Sequence, residues 1–181
     1  MIFPQGRNIH RPPHVFLDNA KYFIASRTVG WSPTFDNDNK KQILYDCIFN
    51  ALNKFNFICD SWVILNNHYQ LVIDVKDSKN IFLFIKQING SSSRKINEFE
   101  NSLGRKVWDQ YWDTILDNDK NYWTHVNYNH HNPVKHGYVP KMEDYQWSDF
   151  NEHVKKYGAE TVYERFEYYP VTDFTPPWVE K

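Results

Sequence analysis

Residues 62–75, WVILNNHYQLVIDV, consist of two apolar runs separated by Asn66 and Asn67, a pattern typical of a β-hairpin. Successive side chains of a strand point to opposite faces, so His68 and Gln70 share one face of the second strand, while Tyr69 lies on the other. Burying an imidazole and an amide costs free energy unless each group finds a partner. We therefore expect a further functional group to meet His68 and Gln70 on that face.

The stretches on both sides of the hairpin predict a small α+β fold. Apolar spacing indicates, in chain order, a strand at 21–28, a helix over about 43–55, the hairpin, a helix over about 79–101 that INGSSS interrupts, a strand within 105–116, a helix from Asp119 through Tyr128 and a short helix near 149–157. The first six elements have the β-α-β-β-α-β order of a ferredoxin-like antiparallel sheet with helices on one face. A C-terminal helix that carries a tyrosine, followed by an irregular tail, completes the predicted fold.

Length and charge predict one domain with two extensions. The 181 residues suit a single domain at 15–140, with a proline-containing N-terminal arm at 1–14 and a C-terminal tail at 141–181. Residues 1–140 contain 16 Lys and Arg against 13 Asp and Glu, whereas the tail contains 5 against 9. A mildly basic body is compatible with an anionic partner, and we expect the acidic tail to pack back on the body.

Other features of the composition exclude some classes of protein. The chain has no run of roughly 18 apolar residues and no apolar signal-peptide core, so we expect no membrane partner. Cys47 and Cys59 lie in apolar surroundings, and buried free thiols in a reducing cytoplasm are the simplest interpretation. The histidines of residues 125–136 lack the spacing of a known zinc signature, so we expect no zinc site among them.

The predicted third helix leads into HVNYNHHNPVKHGYV, residues 125–139. Tyr128 and Asn132 are four residues apart and share a helix face, and Pro133 disfavours helical geometry at Asn132, so we expect the helix to end or bend there. A helix across the sheet edge near the two polar residues of the hairpin would gather an imidazole, two amide oxygens and a phenol. Imidazole and amide oxygens can bind Mg²⁺ or Mn²⁺.

The sequence resembles the REP-associated tyrosine transposases, single-tyrosine transposase-like HUH endonucleases, over roughly residues 15–175. The similar segments, in order, are NNHYQLVI, RKVWDQYWDTILDNDKNY, HVNYNHHNPVKHGYV, YQWSDF and the late VTDF. The third segment is similar to the family pattern HVxYIxxNPVKHGxV and is the most specific of the five.

The resemblance implies a site and a reaction. It implies that His68 and Gln70 bind Mg²⁺ or Mn²⁺ with Asn132 as a further ligand, and that Tyr128 is the nucleophile. Most family members have a second histidine where this chain has Gln70, which implies weaker metal binding.

The implied reaction cleaves and rejoins single-stranded DNA that carries a REP-like hairpin, through a 5′-phosphotyrosine link and without a nucleotide cofactor. The resemblance favours a monomer over a dimer.

DNA binding requires cations and stacking groups. The candidate DNA-binding residues are Arg7, Arg11, Arg94, Lys95, Arg105, Lys106 and Lys135. Trp31 is a candidate for stacking on bases.

Three functions from different classes remain open. The chain is an active single-strand DNA transesterase, a hairpin-binding module that lost its chemistry through Gln70, or a metal-dependent hydrolase unrelated to DNA. The retained Tyr128 favours the first function over the second, and the lack of a carboxylate-rich site around these motifs argues against the third.

Overall fold

The computed structural model of the protein describes residues 17–171 and Phe174. In chain order, its strands and α-helices are β1 (Ala20–Thr28), α1 (Asp38–Phe55), β2 (Ile58–Ile64), β3 (His68–Val75), α2 (Ile81–Phe99), β4 (Trp108–Ile115), α3 (Asp119–Lys135), α4 (Phe150–Tyr157) and α5 (Ala159–Tyr168). Arg7, Arg11 and the predicted arm at 1–14 lie outside the described residues. The division of the chain into arm, domain and tail stays a prediction.

The four strands form one antiparallel sheet in the order β2-β3-β1-β4. The β-α-β-β-α-β connectivity with this strand order is the ferredoxin-like arrangement, so the predicted fold class is confirmed. Asn66 and Asn67 connect β2 to β3, and the main-chain N–H of Leu65 donates to the carbonyl of His68 at 2.9 Å.

The sheet separates two apolar layers. On one face, Leu71 of β3 packs with side chains of α1 and α2 such as Leu44 and Phe84. On the other face, Val72 of β3 packs with side chains of β1 and α3, including Tyr128. The even-numbered residues of β3, which include His68 and Gln70, therefore face the layer that contains α3.

The predicted interruption of α2 at INGSSS is wrong. The helix runs without a break through Gly90, and the hydroxyls of Ser91 and Ser92 donate to the carbonyls of Gln87 and Ile88, each at 2.7 Å. Ser92 also accepts a hydrogen bond from the Trp108 indole N–H at 2.9 Å. Packing against β4 thus outweighs the weak helix propensity of this segment.

The third helix does not end at Asn132, since α3 continues through Pro133 to Lys135. Pro133 has no N–H, so one helical hydrogen bond is missing in the last turn. The helix ends before Gly137, whose φ is 71°. The helix α5 was not predicted, although apolar side chains recur at helical spacing from Ala159 to Phe166. No helix in the described part of the chain is long and apolar enough to cross a membrane.

Candidate active site

The side chains of His68 and Gln70 lie in the layer between the sheet and α3. Gln70 is opposite Ala25 of β1 and Val63 of β2, at the centre of the sheet, and His68 is opposite Arg27 at the start of β3. His68 is 4% exposed and Gln70 is fully buried. The hairpin therefore directs an imidazole and an amide into a nearly water-free layer.

His68 has the protonation state of a metal ligand. Its Nδ1 atom lies 2.7 Å from the side-chain oxygen of Asn67, so Nδ1 carries the proton and Nε2 keeps its lone pair. Burial and the nearby His136 lower the pKa of His68 to about 3, so the ring is neutral at pH 7. The ring contacts His136, just beyond α3, with 5.6 Å between centroids, and Trp31 with 5.9 Å.

Gln70 and Asn132 are buried amides that lack protein partners. Both side chains are 0% exposed, and neither the oxygen nor the nitrogen of either amide has a hydrogen-bond partner among the described residues. The neighbouring Asn127 differs, because its amide donates to the carbonyls of Arg165 and Tyr169. A buried polar group without a partner costs about 1–3 kcal/mol, so such groups in a native fold call for an explanation. Two amide oxygens and a neutral imidazole are of the types that can bind Mg²⁺ or Mn²⁺.

Tyr128 lies on α3 one turn before Asn132, on the same helix face. It is 1% exposed, and burial raises the pKa of its phenol to about 12. The ammonium of Lys135 lies 4.8 Å from the centre of the Tyr128 ring. Phe174, from the C-terminal tail, contacts the ring edge-on with 5.0 Å between centroids. The phenol is thus covered by the tail and has a cation beside it.

Arg27 is a residue of this layer that the sequence analysis missed. It is the cross-strand partner of His68, and directly opposite residues of paired strands point to the same face. Its guanidinium lies between two indoles, 4.9 Å from the Trp31 ring and 5.3 Å from the Trp112 ring, and 3.3 Å from the Asp109 carboxylate. No local pattern marks Arg27, because its position beside His68 depends on the pairing of β1 with β3.

The predicted DNA-binding cations are dispersed. Lys135 lies at Tyr128, whereas Arg94 and Lys95 belong to α2, on the opposite side of the sheet from α3. Arg105 pairs with Glu100 at 2.5 Å and Lys106 lies 3.6 Å from Asp109. Both precede β4, at the end of the sheet where His68 lies, because Trp108 pairs with Thr28. Their roles in DNA binding stay predictions.

Comparisons with known proteins agree with this architecture. The model of the family described as "Transposase IS200 like" matches residues 18–115, which is more than half of the chain. A REP-associated tyrosine transposase of Escherichia coli (strain K12) is 28% identical over 147 residues, which are 75% of this chain and 84% of that protein.

A solved structure described as a REP-associated tyrosine transposase bound to a REP hairpin has the same fold. Its TM-score to this chain is 0.69 at 20% identity, over 81% of this chain and 86% of that one. The matched family region contains the whole sheet, from the first residues before β1 to the end of β4. The chain therefore belongs to the family of IS200-like transposases, and the proteins that it resembles along most of its length are REP-associated tyrosine transposases.

Proposed function

We propose that this chain is a metal-dependent single-strand DNA endonuclease and strand transferase that acts on hairpin DNA through Tyr128. One observation carries the proposal: the two partnerless buried amides of Gln70 and Asn132 lie in the same layer as a neutral His68, and Asn132 is one helical turn from Tyr128. The solved relative bound to a REP hairpin supports hairpin DNA as the partner.

The residues that would hold a divalent ion are His68 through Nε2 and the amides of Gln70 and Asn132 through their oxygens. The donor set of one imidazole and two amide oxygens is neutral, so it favours Mg²⁺ or Mn²⁺ and binds either one weakly. When bound, such an ion supplies charge neutralisation and orientation to the phosphate that is attacked.

In the proposed reaction the Tyr128 oxygen attacks a DNA phosphorus atom in line with the leaving group. The new bond joins the phenol oxygen to the 5′-phosphate, and the broken bond releases a free 3′-hydroxyl that takes up a proton. A phenol with a pKa of about 12 is almost fully protonated at neutral pH, so a nearby positive charge lowers the cost of removing its proton. Lys135 supplies such a charge at 4.8 Å from the ring.

Arg27 of β1 and Lys135 of α3 are two cations in the layer of the proposed site. The Arg27 guanidinium lies 4.9 and 5.3 Å from the rings of Trp31 and Trp112, and a planar guanidinium suits bidentate contact with a phosphate. We propose that Arg27 positions the DNA backbone beside His68.

A covalent adduct tests this function. The protein is incubated with single-stranded hairpin DNA and Mn²⁺, and the products are separated on a denaturing gel. We expect a protein–DNA adduct from the wild type and none from Tyr128→Phe, which removes only the hydroxyl and should keep hairpin binding near the wild-type level.

Tyr122→Phe is the matched control, since Tyr122 lies on the same helix and its hydroxyl donates to Asp60 at 3.3 Å. That variant should still form the adduct. An adduct from Tyr128→Phe would place the nucleophile elsewhere.

A hairpin-binding protein without chemistry is the second candidate function, and the near-complete burial of Tyr128 under Phe174 favours it. The same gel distinguishes the two candidates. Tight hairpin binding by the wild type without any adduct, at saturating Mn²⁺, would support the binding module.

A further inference from the structure

A second cluster of metal-ligating side chains lies where α3, α4 and β2 meet. His130 of α3, Asp149 immediately before α4 and His153 within α4 are all buried. His130 Nε2 lies 3.1 Å from Asp149 Oδ1, and His153 Nε2 lies 3.2 Å from Asp149 Oδ2. One ligand atom of each residue lies within 4.8 Å of the other two. Three ligand groups thus converge from two helices.

The carboxylate of Asp149 carries a buried charge that requires compensation. Its partners are the Ser61 hydroxyl at 3.1 Å, the Trp62 main-chain N–H at 3.0 Å and the two imidazoles. In residues 17–171 and at Phe174, no lysine or arginine pairs with it. Burying a charge is costly unless a group of opposite charge lies beside it. With both imidazoles neutral, the cluster keeps a net negative charge that a bound cation would balance.

We propose that His130, Asp149 and His153 bind one Zn²⁺ ion that fixes α4 against α3 and β2. Imidazole nitrogens and a carboxylate oxygen are typical zinc ligands, and bonds of about 2.0–2.1 Å place adjacent ligands of a tetrahedral site ~3.3 Å apart. The Nε2 atoms of His130 and His153 lie 3.1 and 3.2 Å from different oxygens of the Asp149 carboxylate, and both separations are close to that value.

The surroundings of the cluster complete the site. The main-chain carbonyl of Asp60 accepts a hydrogen bond from His153 Nε2 at 2.9 Å, and its oxygen would be a further ligand once an ion replaces that proton. Ser61 and the Trp62 N–H orient the carboxylate, as outer partners of metal ligands do. Because all three ligand side chains are buried, the role of the ion is structural. The site shares no residue with the site proposed at His68, Gln70 and Asn132.

A proton on one imidazole is the competing way to balance the charge. If a proton balances the charge, the protein shows no metal absorption and its stability does not change when a chelator is added. The two accounts therefore differ in what a metal titration measures.

The test uses the full chain after removal of metal with EDTA. Co²⁺, a visible stand-in for Zn²⁺, is added first, and Zn²⁺ is then added as competitor. We expect one equivalent of Co²⁺ to produce the visible absorption of a tetrahedral site, and Zn²⁺ to abolish it. His68→Ala should keep this absorption, since His68 belongs to the other site.

His153→Gln should weaken Co²⁺ and Zn²⁺ binding by more than roughly tenfold, the loss that even an outer partner of a metal ligand can cause. The Gln amide keeps an N–H donor for Asp149 or the Asp60 carbonyl, which favours folding. His131→Gln, next to His130 in α3 but outside the cluster, should bind like the wild type.

Thermal unfolding of the wild type gives a result that needs no variant. Zn²⁺ at a hundredfold excess over its Kd should raise the melting temperature above that in EDTA by roughly 5–10 °C. No tetrahedral Co²⁺ absorption and no shift in the wild type would assign the charge balance to a proton. Unchanged absorption in folded His153→Gln would also overturn the proposed ligand set.

Discussion

Gln70 stands where the resemblance implied a second histidine in most family members, and its environment suits an uncharged side chain. The side chain is fully buried between β1 and β2, on the face that holds His68. An amide oxygen is a hard donor without charge, whereas an imidazole nitrogen binds transition metals more tightly. In the proposed site, Gln70 would therefore bind the ion more weakly than a histidine.

Gln70→His should lower the Mn²⁺ concentration required for half-maximal cleavage of hairpin DNA, by roughly tenfold. The two side chains are similar in size, so the fold should be retained. Adduct formation across a Mn²⁺ titration measures the effect. Gln42→His, at an exposed position of α1, should leave the titration unchanged. An identical metal requirement for Gln70→His and the wild type would show that position 70 is not a ligand.

Arg27 is the second residue whose role can be tested alone. Arg27→Met keeps an apolar stem between Trp31 and Trp112 but removes the charge, so hairpin binding should weaken. If the guanidinium contacts one phosphate, the slope of log affinity against log salt concentration should fall by about one. Fluorescence anisotropy with labelled hairpin at several salt concentrations measures both quantities.

Lys76→Met is the control for Arg27, because Lys76 is an exposed cation beyond the far end of β3. Its affinity and salt slope should equal those of the wild type. Equal losses in the two variants would indicate a general charge effect.

At the scale of elements, α2 shows that packing decides whether a weak helix former is helical. Gly90 and its serine neighbours have low helix propensity, yet Ser92 is buried against Trp108 and the helix is continuous. A Cβ atom built on Gly90 meets no described atom within 4 Å outside its own helix and chain neighbours, and Gly90 does not have a positive φ. Gly90 therefore lowers the stability of the helix, and no contact requires a glycine at this position.

Gly90→Ala should stabilise the fold by about 0.5–1 kcal/mol and raise the melting temperature by about 1–4 °C. Gly137→Ala is the opposite case, because Gly137 ends α3 with φ of 71°, a conformation that costs an alanine about 1–2 kcal/mol. Thermal unfolding of both variants should show shifts of opposite sign. A destabilised Gly90→Ala would mean that the break predicted from the sequence exists in solution.

At the scale of the whole molecule, the C-terminal tail and the sheet enclose α3 from two sides. Asn127 is held by carbonyls at the end of α5, and Phe174 packs on Tyr128 and on His125. Because Phe174 packs on the buried ring of Tyr128, we expect the tail to restrain DNA binding and cleavage. Removal of the chain from about residue 160 would also remove the carbonyls at the end of α5 that hold Asn127. A single substitution in the tail is therefore the sharper test.

Phe174→Ala should raise both the apparent affinity for hairpin DNA and the rate of adduct formation. An aromatic pair contributes about 0.5–1.5 kcal/mol, so its loss should increase apparent affinity by roughly two- to tenfold. Tyr168→Ala, at an exposed position of α5, should have no effect. Lower affinity of a folded Phe174→Ala would reject the restraint and assign Phe174 to DNA binding.

The sequence by itself determined the features that depend on local spacing. Alternation in residues 68–75 placed His68 and Gln70 on one face, and the four-residue interval placed Tyr128 and Asn132 on another. The order of strands and helices was enough for the ferredoxin-like fold, because few topologies satisfy short connections and paired apolar faces. These properties depend on residues that are close together in the sequence, so they can be predicted without the tertiary structure.

Only the tertiary structure decided which groups meet across the molecule. Arg27 lies beside His68 through strand pairing, and Asp149 joins His130 and His153 through the packing of α4 on α3. In the same way, packing against distant Trp108 keeps α2 helical through Gly90, although the residues around Gly90 do not favour a continuous helix. The physical reason is that backbone periodicity is fixed by adjacent residues, whereas the partner of a buried polar group is fixed by burial energies summed over distant segments.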